Sequence, residues 1–205
     1  MIRLFSLVLV FLFSNLLLFS NVANSSTLLV LGDSLSAGYN MPIERAWPSL
    51  LSDELAKHNK TVQVINGSIS GDTIGNGLSR LPLLIKEHQP KYVLIELGAN
   101  DGLRGFSPNL ISGSLTELVN QVKEANAIPF LMQIRIPPNY GKRYSDAFYQ
   151  IYPTLAQKEQ IALIPFFLEQ VVIKPEWMME DGLHPKPAAQ PWIASFVAQE
   201  LSVHL

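Results

Sequence analysis

The chain contains no cysteine in 205 residues. That absence excludes disulfides, a thiol nucleophile, Cys-ligated zinc and a lipoprotein anchor cysteine, and it suits an oxidising compartment. Histidine is scarce as well, with four in the whole chain, so a general base can be sought by elimination. No charge sign dominates: 15 Lys and Arg face 17 Asp and Glu, for a formal net charge of −2. The charges are spread along the chain without a basic stripe, so nucleic acid is not an expected partner. A neutral or mostly apolar small molecule is the substrate class this balance favours. No internal repeat or low-complexity linker is visible, and the length suits one α/β domain with a sizeable core rather than two.

One long apolar run is present, at the very start. Arg3 is followed by residues 4 to 20, which are mostly Leu, Phe and Val, and no further charge appears before Asp33. This pattern predicts a secretory signal peptide over residues 1–25, with Ala23 and Ser25 as the small residues before the cut and Ser26 as the new N-terminus; cleavage after Ala23 is the alternative. The competing reading is an uncleaved anchor, because a spanning helix needs roughly 20 apolar residues. Ser6, Ser14 and Asn15 interrupt the run and favour the signal. The expected protein is therefore periplasmic or secreted, has no stable membrane anchor after cleavage, and carries a single domain over residues 26–205.

Short Leu- and Val-rich runs alternate with longer amphipathic stretches, the βαβ pattern of a parallel sheet covered by helices. Strands are expected at Thr27 to Gly32, Thr61 to Ile65, Lys91 to Leu97, Ile128 to Ile134 and Ile161 to Ile164. Helices are expected at Ala46 to His58, Ile74 to His88, Asn109 to Ala125, Ser145 to Glu159 and about Pro187 to Ser202. Leu110, Leu115, Leu118 and Val122 read as one buried helical face. Pro137-Pro138-Asn139-Tyr140-Gly141 is the densest turn cluster and should be a loop after the fourth strand. In open α/β sheets, ligands bind outside the carboxyl ends of the strands. Ser34, Gly71, Asn100 and the Asp181-His184 pair all fall at that edge.

The familiar Gly-x-Ser-x-Gly nucleophile signature is missing, since Gly67-Ser68-Ile69-Ser70-Gly71 puts isoleucine at its centre. A serine is placed differently here: Ser34 follows the apolar strand Leu28-Leu29-Val30-Leu31 and a glycine, at the start of a helix, where free N–H groups favour a developing oxyanion. The bland reading is that Ser34 only caps that helix. Among the histidines, His58 sits in a polar turn, His88 at a helix end and His204 next to the C-terminus. His184 remains, in Asp181-Gly182-Leu183-His184-Pro185, with Asp181 able to reach its other ring nitrogen. Asn100, after a very apolar strand, is the best side-chain donor for an oxyanion, against the alternative of an Asx turn. Gly71 could offer a backbone N–H to the same cleft, or simply precede a capped helix. Together these residues point to acyl transfer by serine.

The motifs GDSLSAGY, SISGDT, GANDGLRGF and DGLHP resemble the four blocks of the SGNH (GDSL) hydrolase family, and the similarity extends from about Thr27 to Ala198. The resemblance implies a flavodoxin-like three-layer α/β/α sandwich with a five-stranded parallel sheet, no cofactor and no metal. It maps the family's letters onto Ser34, Gly71, Asn100 and His184, with Asp181 as the acid of the triad and with Ser34, Gly71 and Asn100 forming the oxyanion hole. The implied activity is cleavage of small-molecule acyl esters and thioesters, of the thioesterase, lysophospholipase or arylesterase kind; nothing in the sequence suggests an obligate interface, so a monomer is expected. It also suggests that Gly102 to Ser107 acts as a mobile flap over the acyl chain. Leu103, Phe106, Pro138 and Tyr140 are the expected substrate-binding residues; Tyr39, Met41 and Trp47 are further candidates for a groove or for the core. One departure stands out: family members resembling this chain commonly have a second glycine where it has Ala99, and alanine tolerates positive φ less well. A carbohydrate O-deacetylase on the same scaffold and a secreted lipid carrier without turnover are the rival readings.

Overall fold

A computed structural model describes residues 26–205; the expected signal segment, residues 1–25, lies outside the described residues. Five strands form one sheet: β1 (Ser26–Gly32), β2 (Val62–Asn66), β3 (Tyr92–Glu96), β4 (Ile128–Met132) and β5 (Ala162–Ile164). All neighbours pair in parallel, in the order β2-β1-β3-β4-β5. A parallel sheet is covered on both faces, so its central strands read as continuous apolar runs rather than alternating ones. That is why Leu28 to Leu31 and Val93 to Ile95 are all fully buried.

The helices are α1 (Ser34–Ala37), α2 (Trp47–Lys57), α3 (Ile74–His88), α4 (Ala99–Leu103), α5 (Pro108–Glu124), α6 (Lys142–Glu159), α7 (Leu168–Val171) and α8 (Gln190–Ser202). One layer packs α2 against α8, and the other runs α3, α5, α6. The long helices match the sequence expectation within a few residues, except that α6 begins at Lys142 rather than Ser145 and a short 3-10 turn, Pro187–Ala189, precedes α8. On α5 the buried face is Ile111, Leu115, Leu118, Val119 and Val122, while Leu110 is 56% exposed. The expected placement of Leu110 in the core is thus corrected: five residues separate it from Leu115, one too many for the same helical face, whereas Ile111 fits.

The chain leaves β1 toward β2 on one side and later returns to β3 on the other. This reversal opens a crevice between the carboxyl ends of β1 and β3. Residues 33–36 and 97–101 are delivered there.

Candidate active site

At the end of β1 the chain turns directly into α1. The side chain of Asp33, not of Ser34, caps this helix by accepting from the Leu35 N–H at 3.0 Å. Ser34 is thereby relieved of the capping role, and its hydroxyl lies 2.9 Å from His184 Nε2. His184 Nδ1 is 2.7 Å from Asp181 Oδ2. The other carboxylate oxygen of Asp181 accepts the backbone N–H groups of Leu183 at 2.9 Å and His184 at 3.0 Å. Gly182, at φ +66°, makes this tight return possible. An antiparallel bridge between Met178 and Pro185 closes the base of the loop, reinforced by Met179 N–H to the His184 carbonyl at 2.8 Å. Burial pushes the Asp181 carboxyl up, but the hydrogen bonds from the His184 backbone, its ring and the Leu183 N–H outweigh it and hold the group at about 2.

Asn100 lies in the first turn of α4. Its amide donates to Asp33 Oδ2 at 3.1 Å and to the Asp72 carbonyl at 2.9 Å, so it binds across two other elements rather than forming a local Asx turn. Gly71 sits in the loop after β2 at φ +86°, with open space where a Cβ would stand. Among the described residues, neither the Ser34 N–H nor the Gly71 N–H has an intramolecular acceptor. Positive φ after β3 is required at Gly98, at +118°, where a Cβ would run into the Tyr152 hydroxyl. Ala99 is simply the first residue of α4, outside the left-handed region. The alanine therefore meets no positive-φ requirement at this position.

Two buried acids beneath the serine were not picked out by motif reading. Asp33 and Glu96 are both essentially inaccessible. Ser36 Oγ donates to Glu96 Oε2 at 2.6 Å, while Glu96 Oε1 has no partner. Burial pushes Asp33 up to about 7 despite the opposing Leu35 N–H and Asn100 amide, with the Asp101 and Asp72 charges adding to the rise. Glu96 is raised well above the carboxylate range by burial and by the Asp33 charge, against the Ser36 hydroxyl and the Asp33 N–H. A glutamate inside an otherwise apolar parallel strand was the available signal.

A cavity of about 350 Å³ opens beside the serine and is lined by Ser34, Asn100 and His184 together with Leu103, Ile136, Pro138, Phe166 and Val172. Arg135 and Glu169, paired at 2.9 Å, form its charged border. Of the four residues expected to bind substrate, Leu103 and Pro138 line this cavity. Phe106 and Tyr140 do not: Phe106 packs against the core, and Tyr140 belongs to a separate depression with Ser107 and Lys142. The Tyr140 hydroxyl donates instead to the Leu103 carbonyl at 2.9 Å, and Tyr144 donates to the Phe106 carbonyl at 2.7 Å, so both tyrosines tie the Gly102–Ser107 segment. Trp47 is fully buried, and its ring N–H donates to the Leu35 carbonyl at 3.1 Å. Among the described residues there is no group of three or more metal-ligating side chains, and no helix is long and apolar enough to cross a membrane.

Known proteins similar to this chain are esterases and thioesterases. The arylesterase of Vibrio mimicus is 64% identical over 205 residues, covering 100% of both chains. The thioesterase 1/protease 1/lysophospholipase L1 of Escherichia coli K12 is 54% identical, over 93% of this chain and 90% of that one. Among solved structures, the psychrotrophic esterase EstA from Pseudoalteromonas sp., inhibited by monoethylphosphonate, superposes with a TM-score of 0.84 at 41% identity, covering 88% of this chain and 98% of that one. Residues 30–190 match the GDSL-like Lipase/Acylhydrolase family, and the chain belongs to that family of hydrolases.

Proposed function

We propose that this hydrolase cleaves acyl esters and thioesters through a Ser34-His184-Asp181 relay. The observation that carries the reading is the continuous line of contacts from Ser34 Oγ to His184 Nε2 at 2.9 Å and from His184 Nδ1 to Asp181 Oδ2 at 2.7 Å, at the wall of an apolar cavity. Asp181, held ionised, fixes the tautomer that leaves Nε2 free to accept the serine proton. Ser34 Oγ attacks the acyl carbonyl as His184 takes its proton. The developing oxyanion is met by the free Ser34 and Gly71 N–H groups, and the Asn100 amide joins them by sharing a hydrogen now directed at Asp33 or Asp72. His184 returns the proton to the departing alcohol or thiol, leaving an acyl-serine. Water, deprotonated by the same imidazole, then attacks this ester and releases the carboxylic acid.

The substrates proposed are small-molecule esters and thioesters whose acyl part enters the cavity beside Leu103, Ile136 and Phe166. The names of the relatives, an arylesterase and a thioesterase/lysophospholipase, support the same class. We further propose that residues 1–25 are removed as a signal peptide and that the mature chain acts as a periplasmic or secreted monomer. A panel of p-nitrophenyl esters and acyl thioesters from two to sixteen carbons tests the substrate class. Turnover that extends beyond acetyl esters, with thioesters included, is expected. Turnover limited to acetyl groups on sugars would favour a deacetylase, and none at all would favour a carrier.

A further inference from the structure

Tyr39 lies flat against His184, with ring centroids 4.0 Å apart and planes inclined by 23°. No step of the hydrolysis described above uses it. The side chain is 42% exposed, its hydroxyl makes no hydrogen bond among the described residues, and it is not part of the cavity wall. A large aromatic residue so placed is neither core nor acyl groove. Its position is nonetheless specified by the backbone: the residues on either side, Gly38 and Asn40, both adopt the left-handed region, at φ +79° and +53°. A Cβ at Gly38 would come within 3.1 Å of Ala46, so this turn is tightly constrained between α1 and the Ala46 segment.

We propose that Tyr39 is a positioning residue for His184, its ring fixing the imidazole plane and stabilising the imidazolium that forms when Ser34 gives up its proton. The inference rests on His184 being the general base. Asp181 and Ser34 address the two ring nitrogens of the imidazole; Tyr39 addresses one of its faces. An aromatic face attracts a cation but has little preference for a neutral ring, so the contact is stronger after proton transfer than before it. The other charged groups near the ring are Asp181 on its own loop, Asp33 at the end of β1, and Arg135 with Glu169 on the cavity border, the last two paired with each other. None of these occupies the face that Tyr39 covers.

The test compares the parent enzyme with Tyr39→Leu, which keeps apolar bulk but no π face, and Tyr39→Phe, which keeps the ring without the hydroxyl. Each is assayed on a short and a long p-nitrophenyl ester. Tyr39→Leu is expected to lower kcat by roughly 3- to 30-fold on both esters with KM changed less than about twofold, and Tyr39→Phe to stay within about twofold of the parent. The acid limb of the kcat/KM profile is expected to move to lower pH in Tyr39→Leu alone. An unchanged kcat in Tyr39→Leu, a Phe variant as impaired as the Leu variant, or a loss confined to KM or to one ester would each overturn the proposal. A parent enzyme indifferent to His184→Ala would instead overturn the assignment of the base on which it rests.

Discussion

His184 carries two hydrogen bonds on a loop whose Asp181 side chain is 38% exposed, so the relay sits near the surface and its geometry depends on the tight Asp181–His184 return. His184→Ala is expected to lower kcat by roughly 10⁴-fold or more, with Asp181→Ala somewhat milder, because such residues act as a unit; steady-state kinetics on the folded variants checks this. Asn100 distinguishes transition-state binding from architecture. If its amide reaches the oxyanion, Asn100→Ala lowers kcat by roughly 10²–10³ with little change in KM. Its bonds to Asp33 and the Asp72 carbonyl add a structural share, so a loss of about 1 kcal/mol in stability is expected alongside. A destabilised variant with full kcat would remove Asn100 from the site. Ser34, Asp181, His184 and Asn100 were legible as candidates because each sits in a short distinctive motif. Asp33 and Glu96 were not, because nothing in a linear pattern reveals that two acids 63 positions apart approach through the Asp33 N–H and Glu96 Oε2. Tyr39 was legible only as an aromatic, since its stacking depends on where the His184 loop returns.

The strands were readable as short apolar runs and the long helices from apolar periodicity, and the observed α3 even carries the capping box between Thr73 and Asn76 that fixes its start. A helix starting at Ser34 was expected from the sequence, but that α1 runs for only 4 residues was not, and α4, of 5 residues, was not anticipated as an element. One or two turns give too few residues for a period to show, and such pieces persist only where caps and packing hold them. They are also the elements that place Ser34 and Asn100, so the local geometry of the site was the least legible part of the fold. Gly98, the hinge between β3 and α4, tests this directly. Gly98→Ala must adopt φ +118° and meets the Tyr152 hydroxyl, which donates to the Leu97 carbonyl at 3.0 Å. It is expected to cost at least ~2 kcal/mol of stability and most of the activity, from strain and overpacking together. Ala99→Gly, at an ordinary helical position, is expected to cost about 0.5–1 kcal/mol and leave kcat nearly unchanged. Denaturation midpoints and kcat for the two variants, measured side by side, check the contrast.

At the scale of the whole molecule, the strand pattern predicted an α/β protein with a five-stranded parallel sheet, and the observed sheet agrees with that expectation. The buried acid pair adds a property that composition could not show. Asp33 titrates near 7 in the folded protein and near 4 in the unfolded chain, so between those values the folded state binds more protons. Stability is then greatest on the acid side and falls as pH rises toward 7, and Glu96, raised further, extends the decline. The low Asp181 value acts oppositely, and only as pH falls from about 4 toward about 2. Thermal midpoints are therefore expected to decrease from pH 5 to pH 8, and Glu96→Gln is expected to flatten that decrease; an equal slope in the variant would show that Glu96 does not contribute to it. The central claim, that Ser34 is the group acylated during turnover, is tested most directly by treating the protein with a p-nitrophenyl phosphonate ester and mapping the adduct by peptide mass spectrometry. One phosphonyl group per chain on Ser34, appearing in step with loss of esterase activity and absent from Ser34→Ala, is the expected result. Stoichiometric labelling of another residue with the same loss of activity, or full inactivation with Ser34 unmodified, would contradict it.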